Sequence, residues 1–171
     1  PDYFIAALIS RLFDDGVTSR LQKILREEKG LVYSVECRAT SLPDTGTIDF
    51  DVSVRSEKVV EVAGILLDEI KKFISTGVSE DELELVKQRY GYELDYELDD
   101  PYRQIIRHGF CHLYSTEYSV EKEREKISQI TPLDILRVAR GIFVSEKINF
   151  VLVGPYTSEL KTSLLQLVHD F

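Results

Sequence analysis

Apolar residues fall three and four apart over residues 2–13, where Phe4, Ala7, Leu8 and Leu12 share one face with Ile5 and Ile9 beside it, and this spacing predicts a first helix. Asp14-Asp15-Gly16 breaks it. Leu21, Ile24 and Leu25 carry the spacing into a second helix that Thr18 or Ser19 can cap and that Gly30 ends, with Arg26 and Lys29 suiting the negative end of its dipole. The period then changes to two. Tyr33-Ser34-Val35-Glu36-Cys37-Arg38-Ala39 alternates, so a strand is expected over about 33–40, and Ser41-Leu42-Pro43-Asp44-Thr45-Gly46 is dense in turn formers. Ile48, Phe50, Val52 and Val54 next alternate with Thr47, Asp49, Asp51 and Ser53. The two strands should pair antiparallel, with one apolar face and one polar face carrying Glu36, Arg38, Asp49 and Asp51.

Helical spacing returns in Val59, Val62, Ala63, Leu66, Ile70, Phe73 and Ile74, and Gly77 stops it. Ser79 with Glu82 reads as a capping box for a helix through Leu83, Val86, Tyr90 and Leu94 to Asp99. Asp100-Pro101 starts another helix to about 114. A charged helix over about 119–128 follows, then one opened by Thr131-Pro132 with Asp134 and running through Leu136, Ala139 and Phe143. Ile148-Asn149-Phe150-Val151-Leu152-Val153 reads as a short buried strand, and Leu160, Leu164, Leu165 and Val168 as a last amphipathic helix. Helices and strands are segregated, so the expected fold is α+β: one domain over 1–171, a largely antiparallel sheet with helices packed on one face.

The 171 residues suffice for a sizeable core, since a domain of this size buries roughly 70% of its unfolded surface. No stretch approaches the roughly 20 apolar residues of a membrane-spanning helix. Thirty acidic against 21 basic residues give a net charge of −9, and the absence of a basic stripe argues against a nucleic-acid partner. The chain opens at Pro1 and contains no methionine, so it is expected to be a processed or excised piece, and its compartment is not legible. Cys37 and Cys111 are too few for a disulfide framework and lack C-x-x-C spacing, so two buried free thiols are expected.

Little of this carries chemistry. His108 and His112 sit four apart on a helix, a spacing that can hold a metal, but the Gly109-Phe110-Cys111 between them supplies no glutamate to act as a base. His169 reads as surface. Asp95, Glu97, Asp99 and Asp100 lack the spacing and interior glycine of a calcium loop, and a helix end plus an N-cap accounts for them. Arg26 and Tyr33 stand seven apart across the bend at Gly30. An arginine keeps its charge and a tyrosine donates from a rigid ring, so together they could hold a peptide carbonyl or an oxyanion. Against this, Arg26 could simply serve the helix end, and Tyr33 shares strand parity with Val35 and Cys37, which would turn it to the apolar face.

The run Phe13-Asp14-Asp15-Gly16-Val17-Thr18-Ser19-Arg20-Leu21, followed by Leu25-Arg26-Glu27-Glu28-Lys29-Gly30-Leu31-Val32-Tyr33-Ser34-Val35, resembles the second homologous half of pitrilysin-type zinc peptidases, which include insulysin and the mitochondrial processing peptidase. The resemblance continues through Gly46-Thr47, Gly77-Val78-Ser79-Glu80-Asp81-Glu82-Leu83, Ile130-Thr131-Pro132-Leu133-Asp134-Ile135, Val138-Ala139-Arg140 and Val151-Leu152-Val153-Gly154-Pro155. It implies a metallopeptidase of two related α+β halves clasping a chamber, with zinc held in the first half by H-x-x-E-H. This chain has no such motif, so the resemblance implies no cofactor here and zinc in the partner half-domain. In active members the second half supplies an arginine and a tyrosine seven apart, and Arg26 and Tyr33 match them in type and spacing. Asp14-Asp15-Gly16 departs from the family's usual glycine-rich turn.

The function this implies is the substrate-positioning, non-metal half of a zinc-dependent peptidase, inactive alone, with catalytic roles for Arg26 and Tyr33. Its partners would be the metal-binding half-domain, in the same parent chain or a partner subunit, and a peptide substrate. The family also contains members that have lost activity, so the alternative is a structural or binding homologue that shapes a chamber or assembly. An isolated half should expose an apolar surface meant for its partner, and self-association is expected of it.

Overall fold

The computed structural model describes residues 2–42, 44–117 and 119–171, so Pro1 and the Pro43 of the expected turn lie outside the described residues. The elements follow the predicted order: α1 (Tyr3–Phe13), a π-helix (Gln22–Glu28), β1 (Val32–Ser41), β2 (Gly46–Val54), α2 (Val59–Thr76), α3 (Glu80–Leu98), α4 (Pro101–Leu113), α5 (Val120–Gln129), α6 (Pro132–Ile142) and α7 (Ser158–His169). The fold is α+β. β1 and β2 pair antiparallel, with Val35 opposite Val52 and Cys37 opposite Phe50, and these side chains pack into the helical core. Glu36 opposite Asp51 and Arg38 opposite Asp49 form the solvent face that the alternation predicts.

The core centres on Phe13, fully buried at the end of α1. Its ring meets Phe50 of β2 at 5.2 Å, Phe73 of α2 at 4.9 Å and Phe143 at 5.9 Å, so one side chain ties four parts of the chain together. Beside it Arg20 fixes α2 to α3. Its guanidinium donates to both carboxylate oxygens of Glu82, at 2.7 and 2.8 Å, and from Nη1 to Glu69 at 3.1 Å, while lying 4.9 Å over the ring of Phe73. Glu69 is only 7% exposed, which makes the arginine its main compensation.

Helix starts follow capping chemistry. Asp100 accepts from the N–H groups of Tyr102 and Arg103 with Pro101 in the first turn, and Thr131 with Asp134 forms a complete capping box. Hydrogen bonds from Thr131 hold the Asp134 carboxyl below its ordinary range. A folded-state value below the unfolded one contributes stability that is complete at neutral pH and fades as the carboxyl protonates in acid. Thr131→Ala is therefore expected to cost about 1 kcal/mol at pH 7, with a smaller penalty at pH 3, as read by urea unfolding at the two pH values. Ser79 caps α3 by accepting from the N–H of Glu82, but the predicted capping box is only half made there, because the Glu82 side chain is taken by Arg20.

Two further expectations are corrected. The second helix is not a regular α-helix: over Gln22–Glu28 it widens to π geometry, with the Lys29 N–H donating to Ile24 at 3.2 Å. The run 148–153 forms no strand, and Val151 and Val153 are 82% and 92% exposed. Leu152 seats inward, on the cluster of Val59, Ala63 and Leu164, and Ile148 is half-buried. Strand propensity needs a neighbouring ladder to act on, and among the described residues this run has none. Cys37 is buried and Cys111 half-buried, and both are free thiols. Burial pushes the Cys37 thiol far up, so it is inert packing.

Candidate functional site

Gly30 turns the chain from the π-helix into β1. Its φ of +58° is one a glycine adopts without strain, and an added Cβ would meet nothing within 4 Å, so conformation rather than space demands glycine there. The Gly30 N–H donates to Arg26 at 3.1 Å and the Leu31 N–H reaches back to Leu25 at 2.8 Å, closing the carbonyl end of the π-helix. The backbone thus satisfies that helix end, and the Arg26 guanidinium is left over the surface. Its nearest charge is the neighbouring Glu27 at 3.8 Å, with the side chain 54% exposed. Leu25, on the opposite side, is fully buried and anchors the turn.

Tyr33 resolves differently from its sequence parity. Val32 pairs with Val54 and Ser34 with Ser53, so the ladder slips by one at Tyr33, which becomes the extra residue of a β-bulge. Val32 and Val35 are buried on either side, while Tyr33 is 88% exposed. The bulge therefore frees it from the apolar face. No hydrogen bond, ion pair or ring contact joins Arg26 to Tyr33; each projects independently from a place where the chain accommodates one residue more than regular geometry.

The first segment of β1 is held by Asp14, which the sequence marks only as part of a helix break, and by Gln22. Asp14 accepts from the backbone N–H of Cys37 at 3.2 Å and from Gln22 Nε2 at 3.1 Å, and Gln22 also donates to the Val35 carbonyl at 2.9 Å. The Val35 carbonyl and the Cys37 N–H of β1 thereby find side-chain partners. Nothing in the local pattern signals these contacts, since Asp14 and Cys37 are 23 positions apart.

The other candidates settle into structural roles. His108 and His112 are exposed on α4, and among the described residues no group of three or more His, Cys, Asp or Glu side chains is placed to hold a metal ion. The residues present do not fit a catalytic zinc. His169 is exposed, as expected. The acidic run is consumed by arginines and caps: Asp95 pairs with Arg124, Glu97 with Arg103 and Arg107, and Asp100 caps α4. A cleft between α1, β1, α3 and α4 is lined by Tyr3, Arg11, Arg38, Tyr90, Glu93 and Arg107. Its buried floor is a closed network in which Tyr90 donates to Glu123 and Arg107 donates to the same carboxylate at 3.0 Å. Burial, reinforced by that bond to Glu123, pushes the Tyr90 phenol well up, so it stays a neutral donor.

The sequence matches the family model described as the peptidase M16 inactive domain over residues 1–90, which includes the π-helix, the bulge and the hairpin. The chain belongs to the M16 peptidase inactive-domain family. An uncharacterized zinc protease from Streptomyces coelicolor is 29% identical over 157 residues, covering 91% of this chain and 33% of the relative. The chain spans about a third of the length of the curated relatives it matches. Two solved structures share the fold. An M16 inactive domain from Pseudomonas fluorescens superposes with a TM-score of 0.71 at 20% identity, over 84% of this chain and 35% of that one. The inactive peptidase domain of a protein assigned as a zinc protease from Bordetella parapertussis gives 0.72 at 17% identity, over 92% of this chain and 87% of that one. The resemblance to the second half of pitrilysin-type peptidases is thereby upheld.

Proposed function

We propose that this chain is the substrate-positioning, non-metal half of a zinc-dependent peptidase, with Arg26 and Tyr33 directed at the substrate. The observation that supports this best is the bulge at Tyr33. A tyrosine at strand parity with Val35 and Cys37 would pack inward, yet the ladder shifts and leaves it outward and 88% exposed, seven residues after an arginine that is half in solvent with Glu27 3.8 Å from its guanidinium. In this reading Tyr33 donates its O–H to the carbonyl of the bond being cleaved. Arg26 faces the same oxygen as it gains negative charge, and neither group changes its own charge in the reaction. The half that carries H-x-x-E-H would supply the metal and the base.

The test is hydrolysis of a peptide by the complete protein, or by this domain combined with the half bearing H-x-x-E-H. Tyr33→Phe removes only the hydroxyl and is expected to lower kcat about 100-fold with KM little changed, the size of effect seen when one oxyanion donor is lost. Arg26→Lys keeps the charge and loses the planar fork, and should fall between wild type and Arg26→Ala. Equal kcat for wild type and Tyr33→Phe at saturating substrate removes the catalytic role and leaves a domain that shapes the assembly.

A further inference from the structure

Arg26 and Tyr33 share no contact, and the chain between them is made of yielding pieces: the end of a π-helix, a glycine at φ +58° and a bulge where the ladder skips a residue. Each is a place where backbone dihedrals adjust at little cost. One contact closes across the whole segment. Gln22, the first residue of the π-helix, donates from Nε2 to the Val35 carbonyl at 2.9 Å, joining positions 13 apart and enclosing both Arg26 and Tyr33 in the loop so formed. The same amide donates to Asp14 at 3.1 Å, and the other oxygen of that carboxylate accepts from the Cys37 N–H at 3.2 Å. Asp14 directly follows Phe13, whose ring is fully buried at the centre of the core. The clip is therefore anchored to a fixed part of the fold.

We infer that Asp14 and Gln22 are positioning residues, which set the π-helix carrying Arg26 against the bulged strand carrying Tyr33. The inference rests on the reading of Arg26 and Tyr33 proposed above and adds what holds the two in one frame. The bonds go to backbone groups of β1 just beyond Tyr33, so they act on where the strand lies rather than on any core side chain. Both Asp14 oxygens are used, and one Gln22 nitrogen serves two acceptors, so removing either polar group breaks the link between α1, the π-helix and β1. Magnitudes separate placement from packing. A hydrogen bond of this kind adds little net stability, because water competes for the same groups. Misplacing a reacting group by about 1 Å can cost about 100-fold in rate. The clip therefore matters far more to the pair it encloses than to the fold.

The peptide-hydrolysis assay described above tests it. Gln22→Met keeps the length of the side chain and removes both of its hydrogen bonds, and kcat is expected to fall about 10-fold with KM changed by less than about 2-fold. In the Tyr33→Phe background the same substitution should lower kcat by no more than about 3-fold, since the hydroxyl it would misplace is already gone. Asp14→Asn turns an amide N–H2 toward Gln22 while leaving an oxygen for Cys37, and should repeat the pattern; it decides the matter if Gln22→Met does not fold. An unchanged kcat in Gln22→Met overturns the inference. An equal fall in both backgrounds also overturns it, because the loss is then a general loosening of the domain. If Tyr33→Phe alone lowers kcat in either case, the reading of Tyr33 stands without the clip, whereas full kcat in Tyr33→Phe removes both together.

Discussion

Arg20→Ala is expected to destabilise the fold by about 3–5 kcal/mol, visible as a large fall in the urea midpoint with an unchanged slope. The size follows from what the side chain leaves behind. Glu69 is 7% exposed, and its other cation, Lys72, stands 3.9 Å away with its side chain mostly in water. Without Arg20 a buried carboxylate keeps its desolvation cost and loses the guanidinium that offsets it. Glu82, a third exposed, can rehydrate, so the bidentate bond to it contributes less than its geometry suggests. Phe73 loses the cation over its ring as well. The same reasoning predicts partial recovery in Arg20→Met with Glu69→Leu, because that pair removes the buried charge together with its partner. A loss below 1 kcal/mol for Arg20→Ala would mean that Glu69 reaches water on its own.

Phe13→Ala should be equally damaging, at about 3–5 kcal/mol, through a different mechanism. The ring is fully buried and meets Phe50, Phe73 and Phe143 from three separate elements, so its loss opens a cavity that no single neighbour can collapse into. Phe13→Leu, which fills much of the volume, should cost less than half as much. Since Arg20 and Phe13 both contact Phe73, their effects are expected to be non-additive in the double variant, and thermal unfolding of the three proteins measures that coupling.

Local chemistry made most of the scaffold readable. The period-two run from Ile48 to Val54, with its polar partners on β1, exposed the hairpin and both of its faces. Caps at Asp100 and Thr131 placed two helix starts, and Gly77 at φ +74° one helix end. What stayed hidden depends on residues far apart in the chain. Arg20 finds Glu69 and Glu82 at separations of 49 and 62, and no local pattern marks that pairing. The strand expected at 148–153 was read from composition alone, whereas a strand exists only where another is available to pair. At the candidate site the residue types and the seven-residue spacing were legible, but not the orientation. Parity over Tyr33, Val35 and Cys37 assumed an unbroken ladder, and a single extra residue reversed the answer for Tyr33.

That extra residue also bears on how the chain can change. Along the rest of β1 inward side chains such as Val35 and Cys37 are constrained by the core. At the bulge the strand has been given a spare position whose side chain touches none of the packing. The π-helix that bears Arg26 likewise fits more residues per turn than an α-helix while Leu25 stays locked inside. Substitution at 26 or 33 is therefore expected to leave the fold almost indifferent, so either side chain can be exchanged while the packing around Val35 and Leu25 stays as it is.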